Sequence, residues 1–313
     1  MKKLALKLLL LILPVVVFMF MINARYISTN HWKAENNVWK FNFVPEGIQI
    51  ANLGSSHGEI GFIYDDFPLY KTFNFALSAQ WYFWDYGILQ QYIDNFAPGA
   101  VVLLLVSYFG ITAHPDEYDE FHPRYYRFVK KEYFDEWNGG EFIQYAKFPI
   151  LSAGNNLFKC IKDIPESNID KTRDRTYILE LEELEKYSQA KYKQWTTEDE
   201  KGEVGYQQNL TEVCQLVKFC LDNGLKPVLV TTPVTSVLND IYAEDEYFFK
   251  TFYRFIADIQ AQFPEVQYFD YSHDSDFSPK LELFRDGDHL NVYGAKAFTA
   301  RVVADLQKAE LLK

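Results

Sequence analysis

From Gly47 onward the chain alternates short apolar runs with longer stretches whose apolar positions recur at helical spacing. Residues 48–53, 101–106, 227–231 and 266–271 have the length and content of strands. The run Val101-Val102-Leu103-Leu104-Leu105-Val106 is apolar at every position, which predicts a strand buried on both faces. Residues 81–95, 204–223, 246–262 and 292–308 read as helices, and Gly224 followed by Pro227 marks a helix stop before a strand start. The order is βαβ, an insertion, then αβαβα. Such alternation predicts a parallel sheet covered by helices, a three-layer α/β/α domain.

Two segments depart from this rhythm. Residues 111–201 hold His114-Pro115-Asp116-Glu117-Tyr118, then Phe121-His122-Pro123-Arg124-Tyr125-Tyr126, Tyr133, Phe134, Trp137 and a charged helix around 178–193. A stretch this long carries structure of its own or a function, and it reads as a cap inserted over the sheet's C-terminal edge. Its aromatics suit stacking on sugar rings or docking a membrane partner, with packing of the cap itself as the commoner role. At the N-terminus Lys2, Lys3 and Lys7 precede an apolar run from Leu8 to Ile22. The basic flank predicts a cytoplasmic N-terminus and export of everything after Ala24. Fifteen helical residues cover roughly 22 Å, and Leu4 to Leu6 with a snorkelling Lys7 complete a span of a roughly 30 Å hydrocarbon core. Ile22-Asn23-Ala24 matches a cleavage site poorly, so residues 1–24 read as an uncleaved anchor, with a removed secretion signal as the alternative. Residues 25–313 then form the extracytoplasmic domain.

A formal charge of −12 and a pI near 5.0 argue against nucleic acid and against general attraction to an anionic membrane. Cys160, Cys214 and Cys220 have no metal-ligand spacing, and Cys214 and Cys220 stand too far apart along one helix for a disulfide; all three read as small buried hydrophobes.

The candidate chemistry lies at the two ends of the domain. The first strand stops at Gly54-Ser55-Ser56-His57, where a doubly wound sheet places ligand-binding groups. Gly54 permits a sharp turn, and the following amides can open a helix suited to a developing oxyanion. Asp286-Gly287-Asp288-His289 precedes the last helix. A carboxylate three residues before an imidazole can reach its Nδ1–H and aim Nε2 at a serine. Ser56 is therefore the candidate nucleophile, His289 the base and Asp286 its orienter. Asp288 is expected to point away as a turn support, and His57 to have a structural role. Metal binding by Asp286, Asp288, His289 and His57 lacks any ligand-spacing pattern, and serine chemistry needs neither metal nor cofactor.

Together, Gly54-Ser55-Ser56, Asn74-Phe75-Ala76-Leu77-Ser78-Ala79-Gln80, Ser107-Tyr108 after the buried strand, and Asp286-x-x-His289-Leu290-Asn291 resemble the SGNH/GDSL hydrolase superfamily. More narrowly the chain is similar to its membrane-anchored extracytoplasmic branch, which includes the D-alanyl transfer protein DltD and relatives of alginate acetylation proteins. The resemblance implies an SGNH, flavodoxin-like three-layer fold with Ser56 as nucleophile. It places the second-block glycine, an oxyanion donor through its N–H, at Ser78-Ala79, where the Ala79 amide can serve. Ser107-Tyr108-Phe109-Gly110 stands where the third-block asparagine is expected. Losing that donor costs roughly 3 to 4 kcal/mol of transition-state stabilisation unless Ser107 replaces it. The resemblance further implies acyl transfer, of acetyl or D-alanyl type, to a cell-envelope polysaccharide or teichoic-type polymer beside a membrane-bound O-acyltransferase. A surface carbohydrate esterase that removes acyl groups and a noncatalytic polymer-binding or assembly protein on the same scaffold are the alternatives.

Overall fold

The computed structural model describes residues 2–111, 115–154, 157–158, 162–163, 180–195 and 200–312. Strands β1 (Ile48–Leu53), β2 (Thr72–Asn74), β3 (Phe96–Leu105), β4 (Lys226–Thr231) and β5 (Gln267–Asp270) form one sheet in the order β2-β1-β3-β4-β5, parallel throughout. The helices that concern the site are α1 (Lys2–Ser28), α2 (Ser56–Gly61), α3 (Tyr82–Gln91), α4 (Leu181–Trp195), α5 (Glu200–Asp222), α6 (Ser236–Ala243), α7 (Glu246–Gln262) and α8 (Val292–Lys308).

Alternate side chains of the strands face opposite layers. Ile50, Val101, Leu103, Leu105, Val228 and Val230 pack with Phe298, Val302 and Leu306 of α8. Ala51, Val102, Leu104 and Leu229 are equally buried on the other face, where α3 packs on α5 and α5 on α7 and β4. The result is a three-layer α/β/α fold with a central parallel sheet. Because the chain leaves β1 toward β2 and returns past it to β3, the crevice at the C-terminal ends of β1 and β3 is the topological switch point. Two asparagines brace this end. Asn52 Nδ2 donates to Asn74 Oδ1 at 3.0 Å, and Asn74 Nδ2 donates to the Gly58 carbonyl at 3.0 Å, tying β1, β2 and α2 together.

Of the strands, β2 escapes the sequence pattern: three residues are too few to show a period. Strand β3 begins at Phe96, five residues before the apolar run, since Pro98 and Gly99 interrupt its pattern. The helix expected over 81–95 ends at Gln91 and continues as a 3₁₀ turn over Ile93–Asn95. Cys220 is buried, but Cys214 is only partly so and accepts a hydrogen bond from Gln262 Nε2 at 3.3 Å. Cys160, His114, and residues 178–179 at the start of the expected charged helix lie outside the described residues.

The chain divides into two compact units, one of Met1–Phe43 with His122–Asp170 and one of Val44–Phe121 with Lys171–Lys313. The stretch read as an insertion is thus shared: α4 belongs to the sheet unit, while residues 122–170 join the N-terminal helix. In that smaller unit Tyr126, Phe134 and Trp137 pack on one another with ring centroids 4.7 to 5.0 Å apart. Helix α1 exposes Leu10 to Leu13 and Val15 to Met21, whereas its C-terminal end is built in. Asn23 Nδ2 donates to the Lys147 carbonyl at 2.9 Å, and Tyr26 packs with Trp32 and Ala153.

Candidate active site

Strand β1 ends at Leu53, and the chain turns at Gly54 with φ +119°, a conformation only glycine adopts easily. A Cβ there would lie 2.7 Å from Leu105 Cβ, so the turn also needs the bare backbone to pass β3. The Gly54 N–H donates to Asp85 Oδ1 at 2.9 Å, and Gln80 Nε2 donates to the same oxygen at 2.6 Å. Burial raises the Asp85 carboxyl to about 7, with the Gln80 and Gly54 hydrogen bonds opposing the shift. Ser55 then caps α2 through its carbonyl, and Ser56 takes the first helical position. Its N–H has no acceptor inside the helix.

The second half of the site is a loop between β5 and α8. An antiparallel bridge pairs Phe284 with Leu290, and the Arg285 N–H donates to the His289 carbonyl at 3.0 Å, closing a tight turn over Asp286–His289. The Gly287 carbonyl accepts from the Thr235 N–H at 3.0 Å and hydroxyl at 2.9 Å, which anchors the loop ahead of α6. Asn291 caps α8, accepting from the Tyr293 and Gly294 amides at 3.0 Å. Gly287 also lets α4 approach: a Cβ there would stand 2.9 Å from Ser188 Oγ and 3.0 Å from Tyr187 Cδ1.

These two elements bring Ser56, His289 and Asp286 into one hydrogen-bonded chain. Ser56 Oγ lies 2.8 Å from His289 Nε2, and His289 Nδ1 lies 2.9 and 3.1 Å from the two Asp286 oxygens. Asp286 Oδ1 additionally accepts from the His289 backbone N–H at 2.8 Å, and Oδ2 from Arg285 Nε at 3.2 Å. The carboxylate therefore directs the Nδ1 proton toward itself and leaves Nε2 free to accept from Ser56. Burial alone would depress the His289 imidazolium, but Asp286 and Asp288 override it and raise it above its ordinary value.

Beside this chain runs a second one. His57 Nδ1 lies 2.7 Å from Ser107 Oγ, and His57 Nε2 lies 2.9 Å from Asp288 Oδ2. Tyr187 of α4 donates to Asp288 Oδ1 at 2.6 Å, and the same oxygen stands 3.5 Å from His289 Nδ1. Asp288 thus points inward between two imidazoles, contrary to the expectation of a turn support: with α4 and α2 packed beside the loop, its neighbours supply the donors that a carboxylate buried to 2% exposure requires. Burial works against its charge, yet His289 and His57 hold its ionisation well below the usual carboxylate range. His57 moves the other way, its imidazolium disfavoured mainly by burial. A neutral His57 facing an ionised Asp288 carries its proton on Nε2, so Nδ1 accepts from the Ser107 hydroxyl.

The structure places the two expected oxyanion contributors differently. Ala79 has φ +54°, a left-handed backbone where the resembling family has glycine, and among the described residues its N–H has no acceptor. It follows Leu77, whose N–H donates to the Gly54 carbonyl at 3.2 Å, so it flanks the Ser56 turn. Glu59 Oε2 takes the neighbouring Ser78 N–H at 2.6 Å. Ser107 spends its hydroxyl proton on His57 rather than on the Ser56 side. Gly54, Ser55, Gln80, Trp81 and Ser107 line a small cleft of about 10 Å³, with the Gln80 Oε1 unpartnered at its wall among the described residues. His57, Asp288 and His289 bring one ligating atom each within 4.8 Å of one another, the spacing of a cation site, but the two hydrogen-bonded chains already engage those atoms.

Sequence reasoning missed Tyr187 and the inward role of Asp288 and His57. Tyr187 carries no local signal, being one tyrosine in a charged helix. For His57 the only hint was its place beside Ser56.

No protein-family model matches the chain, and no curated protein matches its sequence. Among solved structures, a candidate acylhydrolase from Bacteroides fragilis NCTC 9343 aligns with 89% of this chain and 97% of its own, at 11% identity and a TM-score of 0.42. A candidate platelet activating factor from Streptococcus pneumoniae aligns with 96% of this chain and 99% of its own, at 12% identity and a TM-score of 0.41.

Proposed function

We propose that this chain is a serine-dependent acyl-transfer enzyme of SGNH type, in which Ser56 is the nucleophile, His289 the general base and acid, and Asp286 the group that orients His289. The observation that carries the reading is the continuous chain Ser56 Oγ, His289 Nε2, His289 Nδ1, Asp286, with links of 2.8 and 2.9 Å at the switch point of a parallel sheet. In the reaction His289 takes the Ser56 proton as Oγ attacks an ester or thioester carbonyl, then returns it to the leaving group. The Ser56 and Ala79 amides are the donors for the oxyanion. An acyl-Ser56 intermediate then passes to a hydroxyl acceptor or to water.

The finer reading, by resemblance to the DltD-like and alginate-acetylation-like branch, is transfer to a cell-envelope polysaccharide or teichoic-type polymer, with a membrane-bound O-acyltransferase as donor partner. An extracytoplasmic site on a retained anchor fits this reading. In its favour, the exposed apolar face of α1 has the length and composition of one membrane span. Loss of residues 1–24 would also remove Asn23, which holds the Lys147 carbonyl.

The test is labelling of the full-length protein in detergent with a serine-reactive fluorophosphonate, followed by peptide mapping. The expected adduct is on Ser56 and is lost in Ser56→Ala and His289→Ala. A folded wild-type protein that takes no label would remove the enzyme reading and favour a polymer-binding role. With an acyl donor and a polymer acceptor, the ratio of transferred to hydrolysed acyl groups then separates a transferase from an esterase.

A further inference from the structure

The chain Ser56–His289–Asp286 uses one serine and one histidine, yet the crevice holds two of each. Strands β1 and β3 are neighbours in parallel register, with Leu53 opposite Leu104. Ser56 and Ser107 each stand three residues beyond that pair, at the first turns after their strands. Adjacent strands run about 4.8 Å apart. The turns are pressed together where Gly54 passes Leu105, so the two serines leave the sheet edge at the same height.

Each serine has its own imidazole. Ser107 Oγ sits 2.7 Å from His57 Nδ1, and His57 is oriented in turn by Asp288 at 2.9 Å, which Tyr187 steadies at 2.6 Å. A hydroxyl in reach of a base whose far nitrogen is fixed by a carboxylate is the arrangement that activates a nucleophile. Ser107 also lines the cleft that Gly54 and Ser55 border. The two imidazoles lie 4.8 Å apart between centroids, with Asp288 facing both.

We propose that Ser107, served by His57, is a second reactive serine of this site and exchanges an acyl group with Ser56. The proposal rests on the acyl-Ser56 reading. In the exchange the bond from Ser107 Oγ to the carbonyl carbon forms and the bond from Ser56 Oγ breaks. His289, left neutral by the acylation step, first takes a proton from solvent water; the Ser107 proton then passes to His57 Nδ1, and His289 gives its Nε2 proton to the departing Ser56 Oγ. The site starts with His289 as imidazolium and ends with His57 as imidazolium. The shared Asp288 carboxylate faces the positive ring in both states, so charge and protons balance once His289 has taken its proton from water.

The experiment is fluorophosphonate labelling and adduct mapping in full-length Ser56→Ala, with Ser56→Ala/Ser107→Ala and Ser56→Ala/His57→Gln beside it, each checked for native fold by circular dichroism. The expected result is a slower adduct on Ser107 in the single variant, its complete loss in the first double variant and its loss or marked slowing in the second. A folded Ser56→Ala protein with no adduct on Ser107 overturns the proposal while a wild-type adduct on Ser56 leaves the first reading standing. Wild-type protein free of label at both serines overturns both. An adduct on Ser107 that is indifferent to His57→Gln overturns the role given to His57. If the His57 variant does not fold, the comparison of the two remaining variants still decides.

Discussion

His57, in the first turn of α2, is buried and His289, on the loop before α8, is largely so, each bonded to a serine through one nitrogen and to an aspartate through the other. Their acid–base characters nevertheless diverge. His289 faces Asp286 and, at 3.5 Å, Asp288, and two negative charges outweigh the cost of burying its imidazolium. For His57 burial comes first and prevails over Asp288, which it meets directly, and over the weaker pull of Asp286, with His289 as a neighbouring positive charge adding to the effect of burial. The same residue type thus becomes a more readily protonated ring in one turn and a less readily protonated one in the other. What sets the difference is the balance at each ring of burial, the strength of its carboxylate contacts and the charge of the neighbouring imidazole.

The most severe way to break this contrast is Asp286→Asn. The amide holds neither the Nδ1–H tautomer nor the imidazolium, and kcat is expected to fall about a thousandfold or more, with circular dichroism unchanged. Ester turnover at saturating substrate reads it, and a loss below tenfold would move the orienting role elsewhere.

Asp288→Asn sharpens the comparison by leaving His289 a single carboxylate. Because both carboxylates raise the His289 imidazolium, removing one lowers it. The base must be neutral to act, so activity in the wild type rises with pH through a value above 6.5, and in the variant that acidic limb moves to lower pH. A pH profile of kcat/KM for both proteins checks the sign.

Tyr187→Phe is gentler, since it removes one hydrogen bond to the carboxylate without touching either histidine. A bond of this kind is worth about 1.5 to 3 kcal/mol, and the expected loss in thermal stability is of that order, with a severalfold fall in kcat. Thermal unfolding together with a rate assay separates the two effects.

The smallest effect on activity is expected at Asp85, where the change is read in stability. Asp85 titrates near 7 in the folded protein and near the usual carboxylate value when unfolded. Between those values the folded state holds a proton that the unfolded chain has lost, so stability falls as pH rises through that window and levels off above it. In Asp85→Asn the side-chain oxygen can still accept from Gly54 and Gln80, and that slope is expected to vanish. Unfolding midpoints at pH 5 and pH 8 give the answer: an unchanged slope would mean that Asp85 is ionised in the native protein.

Much of this contrast could not be read along the chain. Strands β1, β3 and β4 and helices α7 and α8 are legible because each buries a face long enough to impose its period. The Asp286–His289 pairing is legible because three residues close a turn. Edge strand β2 is too short to carry a pattern, and the joining of residues 122–170 with the N-terminal helix leaves no periodic mark at all. Tyr187 and the inward turn of Asp288 depend on α4 arriving beside Gly287, which no local signal announces.

By itself, then, the sequence determined the parallel α/β architecture, the glycine turn that exposes Ser56 and the local carboxylate–imidazole pair. Tertiary structure alone decided that Ser56 meets His289 across 233 positions and that His57 meets Asp288 across 231. The physical reason is one of range. Period and turn geometry act over a few residues, whereas the charge environment of a buried imidazole is set by whichever groups the packing of α2, α4 and the last loop brings within about 4 to 6 Å.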